Sequence, residues 1–304
     1  MNGPQTTRIY HRRARAKLNL ALAVGPPRDE DDEFDGYHPI ASWMATVGLA
    51  DELILTRLSE GSLSRYAIGW HPEAVRTSPI DWSIRDDLAV RAHLVLQARA
   101  GRELPVQLKL EKRIPVGGGL GGGSSDAAAM LLALRDMFAL DVPDTELVEI
   151  ALELGSDVPF FLRGGASRVE NVGEVVTETP MPRGWAVLVM PSFGCATGAV
   201  YRAFDESGAR EFRIEAVRAM SERADPHGAE LFNDLEAPAE SVEPRLGGLR
   251  AALCEACGCA FRVTGSGSTL FATAWDEAAA REMARAADAI DEGVVSVAVP
   301  FESD

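Results

Sequence analysis

Apolar and polar residues alternate along residues 15–24, RAKLNLALAV, in the two-residue period of a strand with one face buried. The same period recurs at 51–58, DELILTRL, and at 106–112, VQLKLEK, as in an antiparallel or mixed sheet wetted on one side. Between them, residues 84–100, IRDDLAVRAHLVLQARA, repeat their apolar positions at helical spacing. A second helix is expected from a cap at Ser125 or Asp126 to Phe138. A third runs from Asp144 or Thr145 to Leu154, with Pro143 just ahead of it and Gly155 as its stop signal. Further on, WAVLVM (185–190), AFRVT (260–264) and VVSVAV (294–299) read as strands, with the helix DEAAAREMARAADAI between the last two. These elements do not alternate as regular βαβ units, so the pattern predicts an α+β chain of two subdomains. The Pro- and Gly-bearing segment TPMPRG places the boundary near residue 180, giving domains of 1–180 and 181–304.

With 304 residues, 46% hydrophobic and 25% charged, the chain has room for about two domains and a sizeable core. Its formal net charge of −16 argues against a nucleic-acid partner, since no basic face rises above the acidic background. Any anionic ligand must then be held by local cations and backbone N–H groups. No apolar run approaches the ~18 residues of a membrane span, and the basic N-terminal segment lacks the pattern of a secretory leader. The expectation is a cytoplasmic protein with no membrane partner. The acidic run Asp29 to Asp35 reads as a solvated tip that points outward. The cluster Cys254, Cys257 and Cys259 has a C-x-x-C spacing, but no second pair accompanies it, so buried structural cysteines are the favoured reading.

One stretch needs a chemical reason. Residues 117–123 hold six glycines around Leu120 and pass at once into a good helix. Each glycine fixed in regular structure costs about 0.5–1 kcal/mol relative to alanine. A bound anion is such a reason: bare backbone can turn successive N–H groups into one concavity, and a helix N-terminus adds its own unpaired N–H groups and dipole. Gly117, Gly119 and Gly122 satisfy the G-x-G-x-x-G spacing of a dinucleotide fold, but Pro115 interrupts an alternating segment where a buried parallel strand is required. A Walker loop needs Gly-Lys-Ser/Thr, whereas this loop ends Gly123-Ser124-Ser125. The protein-kinase catalytic-loop and D-F-G signatures are also missing.

Four stretches, AKLNLAL (16–22), DGYH (35–38), PVGGGLGGGSSDAA (115–128) and GSDVPFF (155–161), together resemble the 4-diphosphocytidyl-2-C-methyl-erythritol kinases. That family lies within the galactokinase–homoserine–mevalonate–phosphomevalonate (GHMP) kinase superfamily. Weaker matches follow at NDLE (233–236) and TGSGSTLFA (264–272), so the likeness covers nearly the whole chain in order. The resemblance implies a two-domain GHMP kinase fold, with a ribosomal-S5-domain-2-like N-terminal domain and a ferredoxin-like C-terminal domain, and with ATP and substrate meeting between the domains. It implies transfer of the γ-phosphoryl of ATP to the 2-hydroxyl of the methylerythritol moiety, in non-mevalonate isoprenoid precursor synthesis. The cofactors implied are ATP and Mg²⁺, and the partner is a small molecule carrying a cytidine diphosphate group. A monomer and a homodimer both remain open.

The resemblance also assigns roles. Asp157 matches the catalytic aspartate, as a base or as a group that orients the acceptor hydroxyl, and Lys17 matches the active-site lysine. Pro115, Val116, Gly117, Gly118, Gly119, Leu120, Gly121, Gly122, Gly123, Ser124 and Ser125 match the ATP-phosphate loop. Physically, Asp157 follows a helix C-terminus, whose dipole disfavours its charge, and a cation within about 4–6 Å would counter that. Lys17 and Asn19 share one face of the first strand, which fits solvent or a site. Ser124 and Ser125 offer hydroxyls to phosphate or Mg²⁺, whose ligands stay undetermined, while Asp126 suits a capping role. Tyr37 and His38 match the cytosine site, with Thr197 and Tyr201 at the corresponding places of a second stacking partner; hydrogen bonds from His38 or backbone would select cytosine. In RVENVGE, Asn171 stands where the family commonly has a cation, so a phosphate contact is expected from Arg163 or Arg168 instead. Two readings compete. Another small-alcohol kinase of the superfamily should lack DGYH, and a non-catalytic nucleotide-binding relative should have lost Lys17 or Asp157.

Overall fold

The computed structural model describes residues 9–28, 36–208, 210–227 and 230–302, so the acidic run Asp29 to Asp35 lies outside the described residues. The chain opens with β1 (Ile9–Val24), β2 (Ile40–Arg57), β3 (Arg65–Trp70), α1 (Leu88–Arg99) and β4 (Val106–Lys112). There follow α2 (Gly122–Phe138), α3 (Asp144–Leu154), α4 (Val158–Arg163), β5 (Ala166–Asn171), β6 (Val175–Glu178) and β7 (Trp185–Met190). The remainder is α5 (Thr197–Glu206), α6 (Ile214–Arg223), α7 (Glu236–Val242), α8 (Pro244–Cys257), β8 (Arg262–Val263), β9 (Leu270–Ala274), α9 (Glu277–Asp288) and β10 (Val295–Pro300). Among the described residues no helix is long and apolar enough to cross a membrane.

The chain separates into two compact units, one of Met1–Ala16, Leu49–Ile114 and Gly122–Arg163, the other of Lys17–Gly48, Pro115–Gly121 and Gly164–Asp304. In the first, the C-terminal half of β2 pairs antiparallel with β4, and β4 pairs parallel with β3. Helices α1 to α4 pack on one another there. In the second, the N-terminal half of β2 pairs with β5, which pairs with β6, both antiparallel. The second unit also holds a separate antiparallel sheet in the order β10-β7-β9-β8. Counted along the chain that order is fourth, first, third, second, with α9 joining the last two strands: a ferredoxin-like arrangement. Phe261 is fully buried in its core, and such a side chain contributes about 1.5–3 kcal/mol by leaving water.

The α+β class holds, and β7 and α3 have the expected bounds. Other elements differ for identifiable reasons. From Ala14 to Val24, β1 is buried on both faces, so its alternation separates polar from apolar buried positions and not wet from dry. β2 begins eleven residues before the alternating stretch at Asp51 (51 − 40 = 11), because IASWMATVGLA is a nearly all-buried run without a two-residue period. α1 starts at Leu88, where the Asp87 carboxylate accepts from the Ala89 N–H at 3.0 Å and caps the helix. α2 starts at Gly122, so Ser125 and Asp126 lie inside the helix and neither caps it.

Asp126 is instead part of a buried ionic trio in the first unit. Lys112 Nζ lies 2.5 Å from Asp51 Oδ2 and 2.6 Å from Asp126 Oδ2, with all three side chains nearly inaccessible. Asp51 also accepts from the backbone N–H groups of Arg113 and, at 2.8 Å, Ile114. Among the described residues Asp126 Oδ1 has no hydrogen-bond partner. Burial pushes the Asp126 carboxyl well up, Lys112 opposes the rise and the Asp51 charge adds to it. For Lys112 burial acts downward, but the two carboxylates outweigh it and hold the ammonium protonated. The trio joins β2, the end of β4 and α2 within the first unit.

Lys112→Met leaves two buried carboxylates without a counter-ion and should lose about 3–5 kcal/mol in urea unfolding. Because the folded-state pKa of Asp126 is raised, its contribution is full below the ordinary carboxylate range and falls as pH rises through the folded value. The stability of Asp126→Asn relative to the wild type should therefore improve as pH rises above the ordinary carboxylate value of about 4.

Candidate functional site

The loop leaves β4 through Arg113 and Ile114 and takes an alternating backbone. Gly117, Gly119 and Gly121 have φ of 75°, 76° and 72°, with Gly118 and Leu120 between them. Alternation of hand along consecutive residues aims backbone N–H groups into one concavity, a ready anion nest. A second glycine-bearing segment, Thr264 to Thr269, lies directly behind it. A Cβ on Gly119 would stand 2.4 Å from the Thr264 carbonyl oxygen, and Thr269 N–H donates to the Gly118 carbonyl at 3.2 Å. Asn233, from NDLE, holds this second segment: its amide donates to the carbonyls of Val263 (2.7 Å) and Gly265 (2.8 Å), while its oxygen accepts from Leu235 N–H (2.9 Å). The next residue, Asp234, accepts from Val24 N–H at 3.0 Å. The two weakly matching stretches thus have a physical task, which is to bind β1 to the backing of the loop.

Lys17 and Asn19 meet in the same unit. Lys17 Nζ donates to Asn19 Oδ1 at 2.5 Å, and both residues are 3% exposed, so the shared polar face is interior and not solvent. Lys17 N–H donates to the Leu120 carbonyl at 3.0 Å, hooking the loop onto β1. Asn19 is fixed in turn: its amide donates to Ser42 Oγ (2.8 Å) and its backbone N–H to Thr264 Oγ1 (2.9 Å). Thr264 opens the weakly matching stretch TGSGSTLFA, whereas Ser42 has no feature in the sequence that marks it. Asp157, in the other unit, is half-buried between Gly155, the C-cap of α3, and Val158, the first residue of α4. It follows the negative end of one helix and precedes the positive end of another, which corrects the one-sided dipole expectation.

Around His38 the second unit builds an aromatic group. His38 Nδ1 donates to the Gly25 carbonyl at 2.8 Å, and Nε2 lies 3.2 Å from Asp205 Oδ1. The imidazole stacks at a tilt on Tyr201 (5.3 Å between centroids, 37°) and meets Phe204 edge-on (5.6 Å, 88°). Tyr37 is 62% exposed, and exposed Thr197 shares a hydrogen bond with Ser266 at 2.8 Å. Both His38 ring nitrogens have protein partners, so the ring could read a base edge only in exchange for one of them. Tyr201 and Asp205 are four residues apart on α5, a spacing legible in the sequence but without meaning until His38 is seen between them.

Asn171, the last residue of β5, sits at positive φ, 61°, and Arg168 Nε is paired with Glu170 at 3.2 Å. Glu170 is also paired with Arg218 at 2.9 Å. Cys254 Sγ accepts from Phe261 N–H at 3.3 Å, and all three clustered cysteines pack against the core of the ferredoxin-like sheet. Burial pushes the Cys257 thiol up, and raises Cys259 to about 11.

Two family profiles match: GHMP kinases N terminal domain over residues 87–165, and GHMP kinases C terminal over residues 207–290. The chain is 38% identical over 270 residues to a 4-diphosphocytidyl-2-C-methyl-D-erythritol kinase of Polaromonas sp. strain JS666, spanning 87% of this chain and 83% of that relative. The chain belongs to the 4-diphosphocytidyl-2-C-methyl-D-erythritol kinase family. A crystal structure of 4-(cytidine 5'-diphospho)-2C-methyl-D-erythritol kinase superposes with a TM-score of 0.75 at 33% identity, covering 97% of this chain and 100% of that one. The homoserine kinase of Cytophaga hutchinsonii shares the fold at 16% identity and a TM-score of 0.69, covering 100% of this chain and 96% of its own. In this member of the 4-diphosphocytidyl-2-C-methyl-D-erythritol kinase family, the N-terminal match takes in the glycine loop and Asp157. The GHMP kinase fold expected from the sequence is the fold of the chain.

The two glycine positions separate backbone strain from contact. A Cβ at Gly117 meets nothing within 4 Å, so Gly117→Ala carries only the left-handed penalty of about 1–2 kcal/mol. Gly119→Ala carries that penalty and must also displace the Thr264 carbonyl. Urea midpoints should fall for both variants and further for Gly119→Ala.

Proposed function

We propose that this protein transfers the γ-phosphoryl group of ATP to the 2-hydroxyl of 4-diphosphocytidyl-2-C-methyl-D-erythritol, a step in non-mevalonate isoprenoid precursor synthesis. The observation that carries this reading is the anion nest at Gly117–Gly121, hooked to a strand that presents a buried lysine at Lys17. Phosphoryl transfer asks little covalent chemistry of a protein; it needs placement and neutralisation of charge. In this reading the loop N–H groups and the start of α2 hold the ATP phosphates. Lys17, its ammonium fixed by Asn19, balances charge that develops on the transferred group. Asp157 orients the acceptor hydroxyl and accepts its proton late in the transfer. Tyr37, His38, Thr197 and Tyr201 form the cytosine subsite, and a cytoplasmic location follows from the small soluble metabolites involved.

Mg²⁺ belongs to the same reading as part of Mg–ATP, where it screens the phosphate charge. Among the described residues no cluster of three or more His, Cys, Asp or Glu side chains forms a metal cage. That fits an ion carried mainly by phosphate and water, for which the hydroxyls of Ser124 and Ser125 are the protein donors near the loop. The Asp126 carboxylate is engaged with Lys112 and contributes no ligand.

ADP release in the presence of Mg–ATP and 4-diphosphocytidyl-2-C-methyl-D-erythritol tests the reaction, with homoserine and mevalonate as control acceptors. Turnover should depend on the cytidine substrate, and Asp157→Asn should lower kcat by about 10²–10⁴. Turnover with a control acceptor alone would move the assignment to another alcohol. Nucleotide binding without turnover on any acceptor would support a non-catalytic relative.

A further inference from the structure

We propose that Asp205 is a positioning residue for cytidine recognition, acting through His38. The inference rests on the reading above that Tyr37, His38 and Tyr201 form the cytosine subsite. Three observations support it. First, among the described residues the polar partners of the His38 ring are the Gly25 carbonyl on Nδ1 (2.8 Å) and the Asp205 carboxylate on Nε2 (3.2 Å). A carbonyl can only accept, so Nδ1 carries a hydrogen, and Nε2 donates to the Asp205 carboxylate in the doubly protonated ring, where the orientation of the other ring edge falls to Asp205. Second, the ring is an interior part: the His38 side chain is 6% exposed, whereas Asp205 is 46% exposed and reaches it from the rim. Third, α5 presents Tyr201, Phe204 and Asp205 to the same imidazole, one by a tilted stack, one by its edge and one by charge.

The segment that carries His38 needs such a tie. It is closed at its neck by Gly25 N–H to the Pro39 carbonyl (2.7 Å) and Arg28 N–H to the Tyr37 carbonyl (2.9 Å). Those bonds fix the backbone and leave the imidazole torsion to its own partners. The terminal torsion of histidine is broad, so a ring held at one nitrogen alone can swing. Asp205 supplies the second point, which fixes the ring plane against which Tyr201 leans. The carboxylate touches no reacting atom. Its removal should loosen the grip on the base and leave the phosphoryl step alone.

Steady-state kinetics of the wild type, Asp205→Ala, Asp205→Asn and Asp205→Glu test this, together with calorimetric binding of CDP. A contact whose carboxylate is this exposed is worth up to about 1 kcal/mol, so the expected rise in KM for the cytidine substrate is about threefold to fivefold in Asp205→Ala. kcat and the KM for ATP should stay within about twofold, Asp205→Glu should recover most of the loss, and CDP binding should weaken in parallel. Unchanged KM and CDP affinity in both Asp205→Ala and Asp205→Asn would overturn the inference, as would a fall in kcat at constant KM. If the wild type does not turn over the cytidine substrate, the functional reading fails by itself. CDP binding then decides the inference: weakening in Asp205→Ala supports it, and equal affinity, or no binding to the wild type, overturns it.

Discussion

Bare backbone against bare backbone is the constraint around which the second unit is built. Gly118 and Gly119 of the loop have no room for a Cβ, because the main chain of Thr264 to Thr269 and the Thr269 hydroxyl lie directly against them. The side-chain atom that presses on the loop there is the Thr269 hydroxyl, which a Cβ on Gly118 would meet at 2.7 Å, so the contact holds itself together only weakly. The holding is done from outside, by Asn233 on the carbonyls of the second segment and by Lys17 N–H on the carbonyl of Leu120. In the first unit the ionic trio fixes the residues just before the loop and the helix just after it. A flexible composition is thereby given one conformation.

The same arrangement shows why polar residues are buried in β1. Asn19 satisfies a lysine, a serine and a threonine at once, so Lys17 is kept in the interior in one orientation. A lone buried ammonium would be prohibitive to desolvate, and hydrogen-bonded partners make it tolerable. The local positive group also stands against an overall formal charge of −16, which gives an anion no general attraction. Attraction at this site is a matter of a few fixed donors.

Much of this was legible in the sequence. The glycine run, DGYH, GSDVPFF and AKLNL carry the family likeness, and the strands and helices with a clear period appear with sound bounds, as α3 and β7 show. What stayed hidden follows a rule. The first half of β2 is buried on both sides and has no period to read, and the start of α2 is set by loop geometry, not by a capping residue. Ser42 and Asp205 matter through partners far along the chain, and Asp51 and Lys112 are ordinary charged residues until the fold brings them to one point. Single residues with distant partners leave no local signal.

The CEACGC segment looks reactive on paper, yet its environment makes it chemically quiet. Burial raises Cys259 to about 11, so at neutral pH only about one molecule in ten thousand carries the thiolate there. Oxidants and alkylating reagents attack thiolates, and they would find few. Cys257 and Cys259, whose thiols burial raises, can thus persist in a working enzyme as small apolar packing groups, with little exposure to the redox life of the cell.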